Sequence, residues 1–171
     1  MKLRPATPND AELICRLILE LAEYEKAEPG DAVTTPEAVR AALAATEGPQ
    51  LGGLVAETDE GEAAGMALFF PVFSSWRANW GLYLEDLFVR PEHRGEGYGF
   101  ALLKAVAAEA VRRGAHRMDW VVLNWNTPAI DLYRRIGAEP LDEWTTMRLA
   151  GDALAALGAA ASGPKGNGER A

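Results

Sequence analysis

The chain has 171 residues, 49% of them hydrophobic and 25% charged. That is one globular domain with room for an extension, and the balance excludes a disordered or fibrous protein. Lys and Arg number 17 against 25 Asp and Glu, a net charge of −8, which argues against partners such as nucleic acid or an anionic membrane surface, because both demand clustered cations.

Leu3-Arg4-Pro5 reads as a short first strand. Thr7-Pro8-Asn9-Asp10 is a helix-start signal, with a cap, a proline for the first turn and an acid for the dipole. Leu13, Ile14, Leu17, Ile18 and Leu21 then form one stripe at helical period. Thr35-Pro36-Glu37 starts a second helix that runs through Ala45. Leu54 to Glu57, Gly65 to Phe70 and Leu82 to Val89 read as strands, and Pro71 to Gly81 as an irregular connection holding Trp76 and Trp80. In the third strand, alternation places Tyr83, Glu85, Leu87 and Val89 on one face and Leu82, Leu84, Asp86 and Phe88 on the other. A carboxylate on a central strand costs several kcal/mol of desolvation unless it is paired or wet. Glu85 and Asp86 therefore predict a polar cleft at this point of the sheet, with pairing of Asp86 to an arginine as the alternative.

A glycine loop follows, then a helix striped by Phe100, Leu103, Val106, Ala107, Ala110 and Val111 and stopped by Gly114. His116 to Leu123 is a further strand, Thr127-Pro128 starts a helix that ends at Gly137, and Trp144 to Leu149 is a last strand. From about Gly158 the composition is that of a flexible tail. The order β-α-α-β-β-β-α-β-α-β predicts a mixed α/β sheet flanked by helices, not a doubly wound dinucleotide fold. Cys15 is the single cysteine and is read as a core filler; His93, read as an exposed loop residue, and His116 are the only histidines, so neither a disulfide nor a metal site is expected. No apolar leader or membrane-length apolar run is present, which predicts a cytoplasmic protein.

Arg94-Gly95-Glu96-Gly97-Tyr98-Gly99 joins a strand to a helix. The glycines allow a tight turn and close approach of a ligand, and the helix start with Arg94 favours an anion. On the glycines alone an ordinary turn serves equally well. Arg94-x-x-Gly97-x-Gly99 after Leu87-Phe88-Val89 resembles the acetyl-CoA signature of the GNAT superfamily of N-acetyltransferases. Asn126 with Tyr133 resembles that superfamily's second motif. Glu20 to Glu25, Tyr83 to Val89, Trp125-Asn126-x-Pro128 and Tyr133-Arg134-Arg135-x-Gly137-Ala138 resemble its diamine branch, the spermidine/spermine and thialysine acetyltransferases. The resemblance covers roughly residues 1–150, leaving 151–171 as an Ala/Gly-rich tail.

The resemblance implies the centrally splayed sheet of the GNAT fold, acetyl-CoA as co-substrate, a small cationic amine as acceptor and a homodimer. It implies that Leu87, Phe88 and Val89 offer backbone groups to the pantetheine, that Arg94, Gly95, Glu96, Gly97, Tyr98 and Gly99 cradle the pyrophosphate, and that Asn126 holds the cofactor near its thioester. Tyr133 would be the acid for the departing thiolate, and Tyr24, Glu25, Glu85, Asp86 and Glu143 would line the amine pocket. Glu85, on the central strand, is the candidate base. On spacing alone Tyr133 reads first as an amphipathic-helix tyrosine with its ring in the core, and Asn126, the glycine loop and the four matching blocks reverse that reading. A peptide or protein amine, or CoA binding without turnover, are the competing functions.

Overall fold

The structure, a computed structural model, describes residues 1–48 and 50–160. They fall into two compact units, Met1–Val121 and a second that begins at Val122.

In the first unit the sheet order is β1-β2-β3-β4-β5, with β1 Lys2–Pro5, β2 Gly52–Glu57, β3 Ala63–Ser74, β4 Asn79–Val89 and β5 Met118–Asp119. The first four strands pair antiparallel and β5 is parallel to β4, so the sheet is mixed as expected. Helices α1 (Ala11–Tyr24) and α2 (Pro36–Ala44) pack together, and α3 (Tyr98–Arg112) packs on β2, β3 and β4. A single 3-10 turn at Pro8–Asp10 leads into α1. The Asp10 carboxylate accepts from the Thr7 N–H at 2.8 Å and from both ends of the Arg4 fork at 2.9 and 2.7 Å. That guanidinium holds Asp10 down at about 2. The N-terminal strand is thereby tied to the first helix. Thr35 caps α2 through its Oγ1, which accepts from the Ala38 N–H at 3.2 Å.

Ala11, Ile14, Leu17 and Leu21 of α1 and Val39 of α2 close over Val55, Met66, Leu68 and Phe88 of the sheet. Cys15 sits in this core, as expected of a small filler. Each large side chain buried here contributes about 1.5–3 kcal/mol. Leu102, Leu103 and Val106 of α3 are likewise buried.

Three expectations fail. Pro71–Gly81 is no irregular connection: β3 runs on to Ser74 and β4 begins at Asn79, with Phe73 opposite Trp80 and their rings 5.2 Å apart. Pro71 is tolerated because β2 pairs with β3 only as far as Phe69, so its missing N–H forfeits no ladder bond. The strand expected over His116–Leu123 shrinks to Met118–Asp119, and Trp144–Leu149 is not a strand. Trp144, Met147 and Leu149 are exposed, and an apolar pattern without a neighbouring strand among the described residues does not make a strand. In the second unit α4 spans Thr127–Arg135 and α5 spans Gly151–Ala160. A tail expected from Gly151 is thus helical at its start; 161–171, the rest of it, lie outside the described residues. Among the described residues no helix is long and apolar enough to cross a membrane.

The end of β4 depends on Gly65. A Cβ there would lie 2.3 Å from the Phe88 carbonyl oxygen, a backbone atom that cannot swing aside. Gly65→Ala is expected to cost about 1–3 kcal/mol, read as a lower Tm in a thermal melt.

Candidate active site

Leu68 pairs with Asp86 and Phe69 with Leu84, which leaves Glu85 as an extra residue on β4. This β-bulge corrects the simple alternation. Cross-strand partners share a face, so Tyr83, Asp86 and Phe88 lie on the side of Phe70, Leu68 and Met66, which is the α1 side. Leu84, Leu87 and Val89 lie on the other. Glu85 is exposed and Asp86 half-buried. A bulge re-aims side chains and bends its strand, and here it turns two consecutive acids into two different environments.

Burial pushes the Asp86 carboxyl up to about 6, and the charges of Glu85 and Glu25 add to the rise. The charges that act on Asp86 are thus further carboxylates, not the arginine that the alternative reading supplied. Glu25 caps the C-terminus of α1 and keeps solvent access, while partial desolvation raises its own carboxyl. The helix end is set by Lys26, which takes the left-handed conformation at φ 60. Its N–H donates to the Glu23 carbonyl at 3.0 Å, and the Ala27 N–H donates to the Ala22 carbonyl at 3.0 Å. A non-glycine residue in that region costs about 1–2 kcal/mol, so the direction in which Glu25 leaves α1 is bought with strain.

β5 pairs with β4 only at Leu82↔Met118 and Tyr83↔Asp119. Among the described residues, Asp86 to Val89 therefore have ladder partners on the β3 side alone, and Glu85 has none. Among the described residues the pairing of β4 with β5 ends at Tyr83, and an unpaired strand edge accepts an extended ligand as a further strand. The Phe88 side chain is core, 3% exposed, so only its backbone is available there. The Val89 carbonyl already accepts from Arg94 Nε at 3.0 Å. The Arg94 guanidinium lies 4.1 Å from the centre of the Tyr24 ring, a cation–π distance.

Gly95 and Gly97 have φ of 84 and 87, which favour glycine whatever the space around them. Gly97 caps α3, and the first bond into it is the Ala101 N–H to the Gly97 carbonyl at 2.9 Å. The N–H groups of Tyr98, Gly99 and Phe100 thus lack helical acceptors, at the positive end of a 15-residue helix. A Cβ built at Gly95 or Gly97 meets nothing within 4 Å, so the loop presents open backbone that fits a phosphate. Tyr98 contributes backbone only, since its ring is buried against His93 at 5.9 Å. Glu96 is exposed. His93 is not the exposed loop residue expected. It is half-buried, and its Nε2 is shielded without a hydrogen-bond partner among the described residues. Glu62, Glu92 and His93 bring ligand atoms within 4.8 Å of one another. Both glutamates act electrostatically on Arg90, a cation that opposes a metal there.

In the second unit Asn126 is half-buried at the start of α4, where its carbonyl accepts from the Ile130 N–H at 3.1 Å. Tyr133 lies two turns further on, half-buried. Burial pushes its phenol above the usual value, so it stays protonated through neutral pH. Arg134 and Arg135 are exposed, and Glu143 is an exposed turn residue.

The acetyltransferase (GNAT) family profile matches residues 18–138. The chain belongs to the GNAT acetyltransferase family. This GNAT acetyltransferase is 37% identical over 165 residues to the thialysine N-epsilon-acetyltransferase of Sus scrofa, covering 91% of this chain and 95% of that one. It is 47% identical over 94 residues to an L-ornithine N5-acetyltransferase of Arabidopsis thaliana, across 55% of this chain and 41% of the plant protein. Among solved structures, a probable acetyltransferase shares its fold with a TM-score of 0.72 at 24% identity, over 89% of this chain and 99% of that one. The matched span holds every candidate site residue except Glu143.

Proposed function

We propose that this GNAT acetyltransferase moves the acetyl group of acetyl-CoA to a primary amine of a small cationic acceptor, namely a diamine, a polyamine or a lysine-like amino acid. The observation that carries the reading is the grouping of Glu25, Glu85 and Asp86 at the β4 bulge, beside an open strand edge and a glycine loop. Two carboxylates that both act on a third disfavour an anionic acceptor and favour an ammonium. The two relatives named above act, by name, on thialysine and ornithine, short molecules with a terminal amine.

Bound acetyl-CoA supplies the activated acetyl as a thioester. Around it, the backbone of Leu87 and Phe88 orients an extended ligand along the open edge. The Gly95–Gly99 loop with the start of α3, together with Arg94, neutralises phosphate charge. From the resemblance alone, Asn126 helps to hold the thioester end. Glu25 and Asp86 hold the acceptor's ammonium, with Tyr24 and, from the resemblance alone, Glu143 at its sides. An alkylamine near pKa 10 is mostly protonated at pH 7, so the reacting amine must lose a proton. Glu85 takes that proton, because the bulge exposes it to solvent next to the half-buried Asp86. From the resemblance alone, Tyr133, kept protonated by burial, holds a proton for the departing thiolate. The chain acts as a homodimer in this reading.

Steady-state turnover with putrescine, spermidine, thialysine, ornithine, lysine and a lysine peptide tests the proposal. Turnover of the free amines in preference to the peptide is expected; turnover of the peptide alone, or CoA binding with no turnover, overturns it. Tyr133→Phe is expected to lower kcat by roughly 10- to 100-fold and to leave the KM for acetyl-CoA within about twofold. The effect is modest because a thiol near pKa 8.5 is already a fair leaving group.

A further inference from the structure

Asp86 feels the charges of two further acids, drawn from two elements. Glu25 comes from the end of α1, whereas Glu85 and Asp86 come from β4. Apolar packing of Leu21 with Phe88 and the stacking of Arg94 on Tyr24 bring the helix end to the strand, and a directional polar contact fixes its register there. Glu20 lies one helical turn before Tyr24, and Arg90 follows Val89 directly. The two residues are 70 apart in sequence and form a fork: Nη2 donates to Oε1 at 2.7 Å and Nε donates to Oε2 at 2.8 Å. The third arm, Nη1, donates to the Ala63 carbonyl at 3.0 Å, and the Arg90 N–H donates to the Ala64 carbonyl at 2.9 Å. Arg90 is therefore fixed to β3 at both main chain and side chain, and Glu20 is fixed to Arg90. The side chains are 16% and 33% exposed, sheltered enough for a forked pair to hold its geometry. The pair borders a groove of about 470 Å³ whose other walls include Tyr24 and Phe88.

We propose that Glu20 and Arg90 are a positioning pair for the acceptor amine: they clamp the last turn of α1 to the end of β4, so that Tyr24 and Glu25 stay in register with Asp86. The proposal rests on the amine-acetylating reading above. It places no cation among the acids themselves, and so leaves their charge for the substrate. The groups that act on Asp86 are Glu85 on its own strand and Glu25 from α1; its partner on β3 is the apolar Leu68. Loosening the clamp lets Glu25 recede, which relieves Asp86 and weakens the hold on the ammonium.

The test is a comparison of the wild-type chain with Glu20→Gln, Arg90→Lys and the exchanged pair Glu20→Arg with Arg90→Glu. Lysine has no fork to replace the two parallel bonds. Both single variants are expected to raise the amine KM about tenfold while the acetyl-CoA KM stays within about twofold. In the pH profile of kcat/KM for the amine, the change of slope near pH 6 is expected to move to lower pH in both, and the exchanged pair to recover part of each effect. A lower Tm with amine KM and slope change unmoved overturns the proposal and leaves the pair a purely structural tie. An equal rise in both KM values overturns it as well. Because Arg90→Lys and Glu20→Gln report the same quantity, one variant that fails to fold does not remove the test. If the wild-type chain turns over no small amine, the amine reading itself has failed, which is seen before any variant is made.

Discussion

Glu85→Gln is expected to lower kcat for amine acetylation by about 10²–10³ while leaving the acetyl-CoA KM within about twofold. The size follows from the protonation problem. The carboxylates that attract an ammonium also stabilise it, so the pocket that binds the acceptor opposes the deprotonation it needs. A group at the edge of the pocket with access to water resolves that conflict, whereas a buried one deepens it. The bulge at Glu85 supplies such a group: the residue has no partner on β3, is exposed, and is chain neighbour to the half-buried Asp86. The glutamine keeps the shape and removes the proton acceptor. Because unassisted loss of the proton becomes easier as the amine approaches its own pKa, the defect is expected to shrink as pH rises. Kinetics from pH 7 to pH 9.5 check this. A kcat unchanged at pH 7, or a defect constant across the range, removes Glu85 from the role of base and leaves ordered water in its place.

The acids were legible in the sequence, but their arrangement was not. Two adjacent carboxylates in a strongly apolar run announce a wet point in a sheet, whatever the register. Period-two alternation then assigns them to opposite faces and places Glu85 with Tyr83. The bulge breaks that rule by a single residue, and no local signal in Tyr83-Leu84-Glu85-Asp86-Leu87 marks where an extra residue will sit. The pairing of β3 with β4 decides it. Pro71 misled for a related reason. A proline reads as a breaker unless one knows that the neighbouring strand has already ended. The glycine loop was readable because its demands are local: Gly95 and Gly97 take conformations that side chains resist, and a helix starts at the next residue. The Glu20–Arg90 clamp was invisible for the opposite reason. Neither residue departs from its local pattern, and the partners are 70 positions apart. His93 was misplaced because polarity predicts exposure only until an aromatic neighbour, here Tyr98, covers the ring.

Asp86→Asn is expected to stabilise the fold and to damage function at the same time. The Asp86 carboxyl is raised from its ordinary 3.8 to about 6 by burial and by the charges of Glu85 and Glu25. A carboxyl raised on folding binds its proton more tightly in the folded chain than in the unfolded one. Stability therefore carries no penalty below about pH 3.8, loses ground as pH rises from there to about 6, and carries the full penalty above it. At 1.36 kcal/mol for each pH unit, the cost at pH 7 is at most about 3 kcal/mol. The asparagine cannot ionise and avoids that cost. Its Tm is expected to exceed that of the wild-type chain at pH 7, and the gap is expected to close at pH 4. In kinetics, the amine KM rises about 10- to 100-fold, the acetyl-CoA KM stays level, and the slope change near pH 6 in kcat/KM for the amine disappears. A Tm gap that is the same at both pH values shows that the carboxylate is not strained by its surroundings. A slope change that survives the substitution assigns that titration to another group, with Glu25 first in line because it shares the site. Stability given up at one aspartate, and returned when its charge is removed, is the mark of a carboxylate kept for its charge.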